Sequence, residues 1–306
     1  MTATPSPLSR RRFFARSGAG ALALAGASLL RQPDAHAMEP FRRAGSSRLR
    51  LSLAAYSFRD YFGEGRDGRR ITLEQFIDYC ADHGCDGAEL TSYYFPPDPS
   101  REFLIGLKRH AHLRGVAISG TAVGNNFAQP DGESLDQQIA MVREWIERAA
   151  MMGAPHIRVF AGQPKGLSKE EAKVQCVKAL ELCGNYAAHD GVWLGLENHG
   201  GIVAQVDDLL DIVRAVKSSW VGVNLDTGNI YTQGDPYEEM ARLAPYAVNV
   251  QLKVRVGGAP TDLDRVVALL KQANYQGYVA LEYEDKDPWG EIPQWLARMK
   301  EAFAQV

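Results

Sequence analysis

Four polar residues recur at the ends of apolar, β-rich runs in the second half of the sequence: Glu197, Asp226, Gln251 and Glu282. Side chains alternate between the two faces of a strand, so a polar residue flanked by Leu or Val points away from those neighbours. The separations of 29, 25 and 31 residues each match about one strand–helix repeat. We therefore expect the four side chains to converge at one depth on adjacent strands.

Three carboxylates in one cavity repel each other and lose hydration, and they stay ionised most easily around a cation. We therefore predict that the four residues hold a divalent metal ion. Oxygen ligands favour Mn2+, Mg2+ or Co2+ over Zn2+, and Mn2+ is our leading expectation. Two alternatives stay open: a structural hydrogen-bond network, or the pairing of a carboxylate with Arg158 or Lys253.

The elements that must position these residues repeat from Arg48 onward, where β-rich runs alternate with amphipathic helical stretches. Eight strands are predicted, namely Leu49–Tyr56, Asp86–Leu90, Val116–Ala122, His156–Phe160, Val192–Glu197, Val221–Asp226, Ala247–Lys253 and Tyr278–Tyr283. The first strand runs into Ser57-Phe58-Arg59-Asp60 without the glycine-rich turn of a doubly wound sheet. The pattern predicts an α/β protein with one (β/α)8 TIM-barrel domain, whose chemistry lies at the strand ends.

Charge and cysteine content narrow the function classes. The formal net charge is -3, but the first 37 residues carry five Arg and one acid, so the remainder holds 29 bases and 36 acids. An acidic body disfavours nucleic acid as a partner. The four cysteines form no CxxC pair, which disfavours a zinc ribbon and favours small buried side chains.

The N-terminus has the parts of an export signal. Arg10-Arg11-Arg12-Phe13 precedes a short, Gly- and Ala-rich apolar run, and Ala35-His36-Ala37 supplies a small-x-small exit. The paired arginines resemble the twin-arginine (Tat) signal. We predict that residues 1–37 are cleaved and that 38–306 form the barrel, with the Tat machinery as a partner and a periplasmic or extracytoplasmic location. The run is too short for a stable membrane anchor; an uncleaved N-terminal anchor is the alternative.

The strand-end motifs carry a family resemblance: GLENHGG (Gly195–Gly201), VNLDTGN (Val223–Asn229), VNVQLKV (Val248–Val254) and VALEYE (Val279–Glu284). From about Arg48 onward the chain resembles the xylose isomerase-like TIM-barrel family of sugar phosphate isomerases and epimerases. The resemblance implies one divalent ion on Glu197, Asp226 and Glu282, with the two glutamates also moving protons. The family commonly reads His-x-His-Leu-Lys at strand seven, whereas this chain places Gln251 at the ligand position.

Other residues are candidates for substrate contact or catalysis. Lys253 could steady an oxyanion or pair with a carboxylate. Asn229 occupies a position where some ketose epimerases of the resembled family have a substrate-binding His. The remaining substrate-binding candidates are His199, Glu89, Arg158, Tyr56, Phe58 and Tyr93, each with a structural role as the alternative.

The same carboxylates support several reactions that begin with proton abstraction next to a carbonyl. We predict a metal-dependent sugar isomerase or epimerase. A lyase or hydratase acting on a 3-keto-sugar or glycoside is one alternative, and a non-catalytic sugar-binding barrel is another. The sequence shows no basic cluster that would form a phosphate-binding site, so we expect a non-phosphorylated sugar or keto-sugar as the substrate. Whether the protein forms a homo-oligomer stays open.

The export hypothesis has a direct test. Replacing Arg10 and Arg11 together by Lys keeps the charge but removes the paired guanidinium groups, so we expect uncleaved precursor to accumulate in the cytoplasm. Fractionation and immunoblotting of the two forms measure this. Unchanged export of the double variant would contradict a twin-arginine signal.

Overall fold

The computed structural model describes residues 38–305, and the predicted export signal lies outside them. Eight parallel strands close into a barrel in the order β1-β10-β7-β6-β5-β4-β3-β2. Their bounds are β1 Arg48–Ala54, β2 Gly87–Thr91, β3 Ala117–Ala122, β4 His156–Val159, β5 Trp193–Glu197, β6 Val221–Asp226, β7 Ala247–Leu252 and β10 Gln276–Leu281; β8 Arg255–Val256 and β9 Ala259–Pro260 form a separate hairpin. The predicted TIM barrel is confirmed.

Helices surround the strands: α1 Leu73–Asp82, α2 Arg101–Leu113, α3 Glu133–Met152, α4 Lys169–Asp190, α5 Val206–Ala215, α6 Pro236–Leu243, α7 Leu263–Gln272 and α8 Pro288–Phe303. Capping residues set several starts. The side chains of Thr72 and Ser168, at the N-caps of α1 and α4, each accept a hydrogen bond from the backbone N–H three residues later and form a capping box. Within residues 38–305, no helix is long and apolar enough to cross a membrane.

Four predicted strands, the first, fourth, seventh and eighth, end earlier than expected, and in the last two this moves a charged site residue into a loop. β7 stops at Leu252 and β10 at Leu281, so Lys253 and Glu282 are the first residues after their strands. The Lys253 N–H donates to the Thr227 hydroxyl at 2.9 Å instead of to a strand partner. The Glu282 N–H still donates to the Leu252 carbonyl at 2.9 Å, which fixes it beside β7.

The segment that precedes β1 closes the N-terminal end of the barrel. Phe41 packs edge-on against Trp193 at the start of β5, with ring centroids 5.2 Å apart. The Arg43 guanidinium donates to the Ala247 carbonyl at 2.5 Å and lies over the Tyr275 ring. The chain directly after the predicted cleavage point is therefore part of the folded barrel.

Inside the barrel, Gly120 on β3 makes room for the buried His156 of β4. A Cβ at position 120 would lie 2.0 Å from His156 Cε1 and 2.3 Å from its Nε2. His156 Nε2 in turn lies 3.5 Å from a carboxylate oxygen of Glu89 on β2. Because Gly120 has no side chain, the His156 imidazole can occupy this space in the layer beneath the barrel mouth.

Gly120→Ala should therefore be destabilising. Overpacking of a filled interior costs about 1–3 kcal/mol, and the imidazole cannot retreat easily because it is buried. Gly106→Ala is the matched control, since that exposed helical position has open space and should gain about 0.5–1 kcal/mol. Urea unfolding of both variants decides, and equal stabilities would contradict this packing.

Candidate active site

A polar cavity of about 300 Å³ opens at the C-terminal ends of the barrel strands. Its lining includes eight of the sequence-predicted site residues, together with Phe160 and Glu284; the eight are Tyr56, Tyr93, Arg158, Glu197, His199, Asn229, Lys253 and Glu282. Residues from the ends of β4, β5, β6, β7 and β10 therefore meet in one space. Such a convergence is where TIM barrels carry their chemistry.

Glu197 is the last residue of β5, and its side chain is held from two sides. Its Oε2 lies 3.0 Å from the Arg158 Nε, and its Oε1 accepts from Asn229 Nδ2 at 3.1 Å. Burial raises the pKa of Glu197 to about 7, with Glu282 adding to the rise and Arg158 opposing it. A carboxylate with this pKa can both take up and release a proton near neutral pH.

Lys253 places an ammonium among three carboxylates. Its Nζ lies 2.5 Å from Glu282 Oε1, 3.0 Å from Glu284 Oε1 and 3.4 Å from Asp226 Oδ2. Burial alone lowers the pKa of Lys253, but these carboxylates outweigh it and hold the pKa well above its ordinary value. Lys253 is thus a fixed cation at the barrel mouth.

Asp226, which ends β6, is fully buried beneath this ammonium. Its Oδ1 accepts from the N–H groups of Gly228 and Asn229 at 2.8 and 3.1 Å, which shapes the loop after β6. Its Oδ2 is buried and accepts no hydrogen bond. Burial raises the pKa of Asp226 to about 7; Lys253 opposes the rise, and Glu197 and Glu282 add to it.

Gln251 lies below the cavity in a separate buried network. Its Nε2 donates to Glu89 Oε1 at 2.6 Å, and its Oε1 accepts from Asn224 Nδ2 at 2.6 Å. Burial alone would raise the pKa of Glu89, but the neighbouring His156 imidazole and the hydrogen bond from Gln251 hold it below its ordinary value. An ionised carboxylate only accepts hydrogen bonds, so Glu89 fixes the direction in which the Gln251 amide points. The amide oxygen accepts one hydrogen bond, from Asn224, and keeps one lone pair.

The donor chemistry of the site suits a cation, although the side chains are not gathered around one. Around the cavity, four carboxylates (Glu197, Asp226, Glu282, Glu284) face two cations, Arg158 and Lys253. This surplus of carboxylates favours a further positive charge, and Asp226 Oδ2, which lies 3.4 Å from Lys253 Nζ but accepts no hydrogen bond, can take part in binding one. Among the described residues, no three His, Cys, Asp or Glu side chains stand close enough to share one ion. Lys253 instead occupies the space between the carboxylates.

Two predicted substrate contacts are wrong. Phe58 is fully buried and packs against aromatic rings of the surrounding helices, among them Trp289 at 4.7 Å between centroids. Glu89 is also fully buried, and its oxygens bond to Gln251 and Asn249 rather than facing the cavity. Both residues stabilise the barrel beneath the site.

The other predicted contacts line the cavity. Tyr56 and Tyr93 form an edge-to-face pair with centroids 6.5 Å apart. The His199 ring lies 4.4 Å from that of Phe160, and burial together with Arg158 lowers the pKa of His199. A neutral imidazole there can accept or donate a single hydrogen bond to a substrate hydroxyl.

Two lining residues were missed from the sequence. Glu284 follows Glu282 by two positions, and the alternation that selected Glu282 also selects it. Phe160 closes the predicted fourth strand, and its ring lies under the Arg158 guanidinium at 3.9 Å. Glu284 could have been found by reading one residue beyond the predicted eighth strand, and Phe160 by applying the alternation from Arg158 to the last residue of the predicted fourth strand.

Comparison with known proteins places the chain among similar barrels. The family described as "Xylose isomerase-like TIM barrel" matches residues 77–300. An inosose isomerase of Halalkalibacterium halodurans is 21% identical over 234 residues, which cover 69% of this chain and 82% of the relative.

Two solved structures share the fold. The 3-keto-D-glucoside 4-epimerase of E. coli superposes with a TM-score of 0.65 at 15% identity, covering 83% of this chain and 100% of that one. The IolI protein, solved with a zinc atom, gives a TM-score of 0.66 at 17% identity and covers 84% of this chain and 97% of that one.

The pairing of Lys253 with the carboxylates predicts a large stability effect. Lys253→Met leaves buried carboxylates without their partner, and the loss of one partner of a buried pair costs about 3–5 kcal/mol. Removing the ammonium raises the pKa of Asp226 further. The loss of stability should therefore be greater at pH 8 than at pH 5, where protonation of the carboxylate relieves it. Urea unfolding at both pH values, without added metal, measures the loss.

Arg255→Met is the matched control, because Arg255 pairs with Asp285 at an exposed position where an ion pair contributes at most about 1 kcal/mol. Equal losses for the two variants, or a Lys253→Met loss that does not change with pH, would contradict the assignment.

Proposed function

Because the chain belongs to the xylose isomerase-like TIM barrel family, we propose that it is an isomerase or epimerase that removes a proton next to the carbonyl of a non-phosphorylated sugar. The observation that carries this proposal is the presence of Glu197 and Glu282 in one cavity, each against its own fixed cation. Two carboxylates beside one substrate can take a proton and return one.

Glu197 is suited to act as the base. Its pKa of about 7 matches the demands of general acid–base catalysis at neutral pH. The Arg158 and Asn229 contacts hold its two oxygens in fixed positions. We assign Glu197 the removal of the proton from the carbon next to the carbonyl.

Lys253 and Glu282 complete the step. As the C–H bond breaks, its electron pair moves toward the carbonyl oxygen, and the Lys253 ammonium donates a hydrogen bond to the oxyanion that forms. Glu282, held beside Lys253 at 2.5 Å, enters the step protonated and donates its own proton to carbon, while Glu197 keeps the proton that it removed; exchange with solvent then restores both carboxyl groups. Donation to the opposite face of the same carbon gives an epimer. Donation to the former carbonyl carbon, with the proton of the adjacent hydroxyl passing to the former carbonyl oxygen, gives the isomeric aldose or ketose.

We further propose that Glu197, Asp226, Gln251 and Glu282 hold a divalent metal ion, with Mn2+ as the leading candidate. A bound ion would polarise the sugar carbonyl. The surplus of carboxylates supports this, as does the Asp226 oxygen that accepts no hydrogen bond. The Gln251 amide oxygen accepts one hydrogen bond, from Asn224, which leaves it one lone pair. Metal binding then requires the Lys253 ammonium to move from its present position.

The preference for a non-phosphorylated sugar follows from the pairing of the cavity's cations. Arg158 and Lys253 are both engaged by carboxylates, so neither offers an unpaired charge to a phosphate group. The compared proteins are named for an inosose and a keto-glucoside, which supports the same substrate class. The export pattern of the sequence supports action outside the cytoplasm.

Isotope exchange tests the proposed reaction. The metal-loaded protein is incubated in D2O with unphosphorylated ketoses, keto-sugars and inososes, and the recovered sugars are analysed by mass spectrometry and NMR. We expect one deuterium at the carbon next to the carbonyl in at least one of them. Glu197→Gln should slow exchange about 10²–10⁴-fold, whereas Glu147→Gln, on the exposed surface of α3, should not.

The products separate the alternatives. Deuterium in an epimer or isomer supports the proposal, whereas an unsaturated or hydrated product identifies a lyase or hydratase. Tight sugar binding without exchange in any of the probes would contradict an enzyme and favour a sugar-binding barrel.

The metal assignment is tested by metal content. Glu282→Gln removes a proposed ligand, so we expect the Mn2+ retained after dialysis to fall at least tenfold. Glu284→Gln is the control, because Glu284 also pairs with Lys253 but lies on the half-exposed rim. Equal metal content in wild type and Glu282→Gln, measured by elemental analysis, would contradict the ligand set.

A further inference from the structure

A second cavity adjoins the first at the same end of the barrel. It has a volume of about 460 Å³ and shares Asn229, Lys253, Glu282 and Glu284 with the first. Ligand sites usually begin at about 300 Å³, so the first cavity alone is small. The two cavities together form one cleft whose polar end holds the carboxylates.

The β8–β9 hairpin forms one wall of the second cavity. Gly257 and Gly258 make its turn with φ of +57° and +83°, and an added Cβ at either position would meet no atom within 4 Å. At the foot of this hairpin, Arg255 pairs with Asp285 at 3.0 Å. This wall therefore exposes to the cavity the backbone groups of the turn and the mutually neutralised Arg255–Asp285 pair.

The loop after β6 contributes an exposed aromatic residue. Tyr231 leaves 55% of its surface exposed although it lines the cavity, beside the nearly buried Ile230. No aromatic ring or cation among the described residues stacks on Tyr231. An unoccupied aromatic face beside backbone polar groups suits a flat, weakly polar ring with hydroxyls at its edge.

We propose that the substrate is a glycoside: the reacting sugar ring occupies the first cavity, and a second sugar ring, joined by the glycosidic bond, occupies the second cavity and stacks on Tyr231. This inference rests on the proposed function for the identity of the reacting ring. The paired state of Arg255 and Asp285 disfavours a charged group in the second cavity. A lone monosaccharide would leave the aromatic face uncovered.

Calorimetry with glucose, cellobiose and maltose as probes tests the second subsite. We expect at least one disaccharide to bind about tenfold more tightly than glucose, which corresponds to about 1.4 kcal/mol. Tyr231→Ala should reduce this ratio below about threefold, while Tyr231→Phe, which keeps the ring, should preserve it. Tyr93→Ala, which alters only the first cavity, should weaken all three sugars and leave the ratio unchanged.

Equal binding of glucose and the disaccharides, a ratio that survives Tyr231→Ala, or no measurable binding of either disaccharide would overturn the proposal. These outcomes are independent of catalysis. A failure of isotope exchange would count against the proposed function alone, since the affinity ratio is measured without turnover.

Discussion

The ammonium of Lys253 is the interaction on which the barrel mouth depends. It lies within 3.4 Å of carboxylate oxygens on Asp226, Glu282 and Glu284, all of which would otherwise repel one another. Without the ammonium, gathering these carboxylates at the barrel mouth would cost desolvation and mutual repulsion. Gly228 reflects the same constraint, because a Cβ there would lie 2.5 Å from Lys253 Cγ.

The layer beneath the mouth serves this arrangement from a distance. Gln251 donates to Glu89 in the barrel interior, and the His156 imidazole lies 3.5 Å from the same carboxylate. Against the effect of burial, these contacts hold the pKa of Glu89 below its ordinary value, with a smaller contribution from Arg158. At the mouth, burial raises the pKa values of Glu197 and Asp226, and the neighbouring carboxylates add to the rise.

The sequence was enough to predict the barrel and where each strand lies along the chain, because strand periodicity and repeat length are local signals, but not the residue at which each strand ends. It also identified Glu197, Glu282 and Lys253 as cavity residues. It could not predict that Glu89 and Phe58 are buried, since both follow the same alternation as true lining residues and only tertiary packing separates them. The direction of the Gln251 amide likewise depends on Glu89, 162 residues away in the chain.

We propose that the surplus of carboxylates in the mouth is a cation site, which Lys253 occupies when no metal is bound. Anomalous diffraction from crystals grown with Mn2+ tests this most directly. We expect one anomalous peak against Glu197, Asp226, Gln251 and Glu282, with the Lys253 ammonium displaced from between the carboxylates. A barrel mouth without a peak, and Lys253 still bound to Glu282, would contradict it.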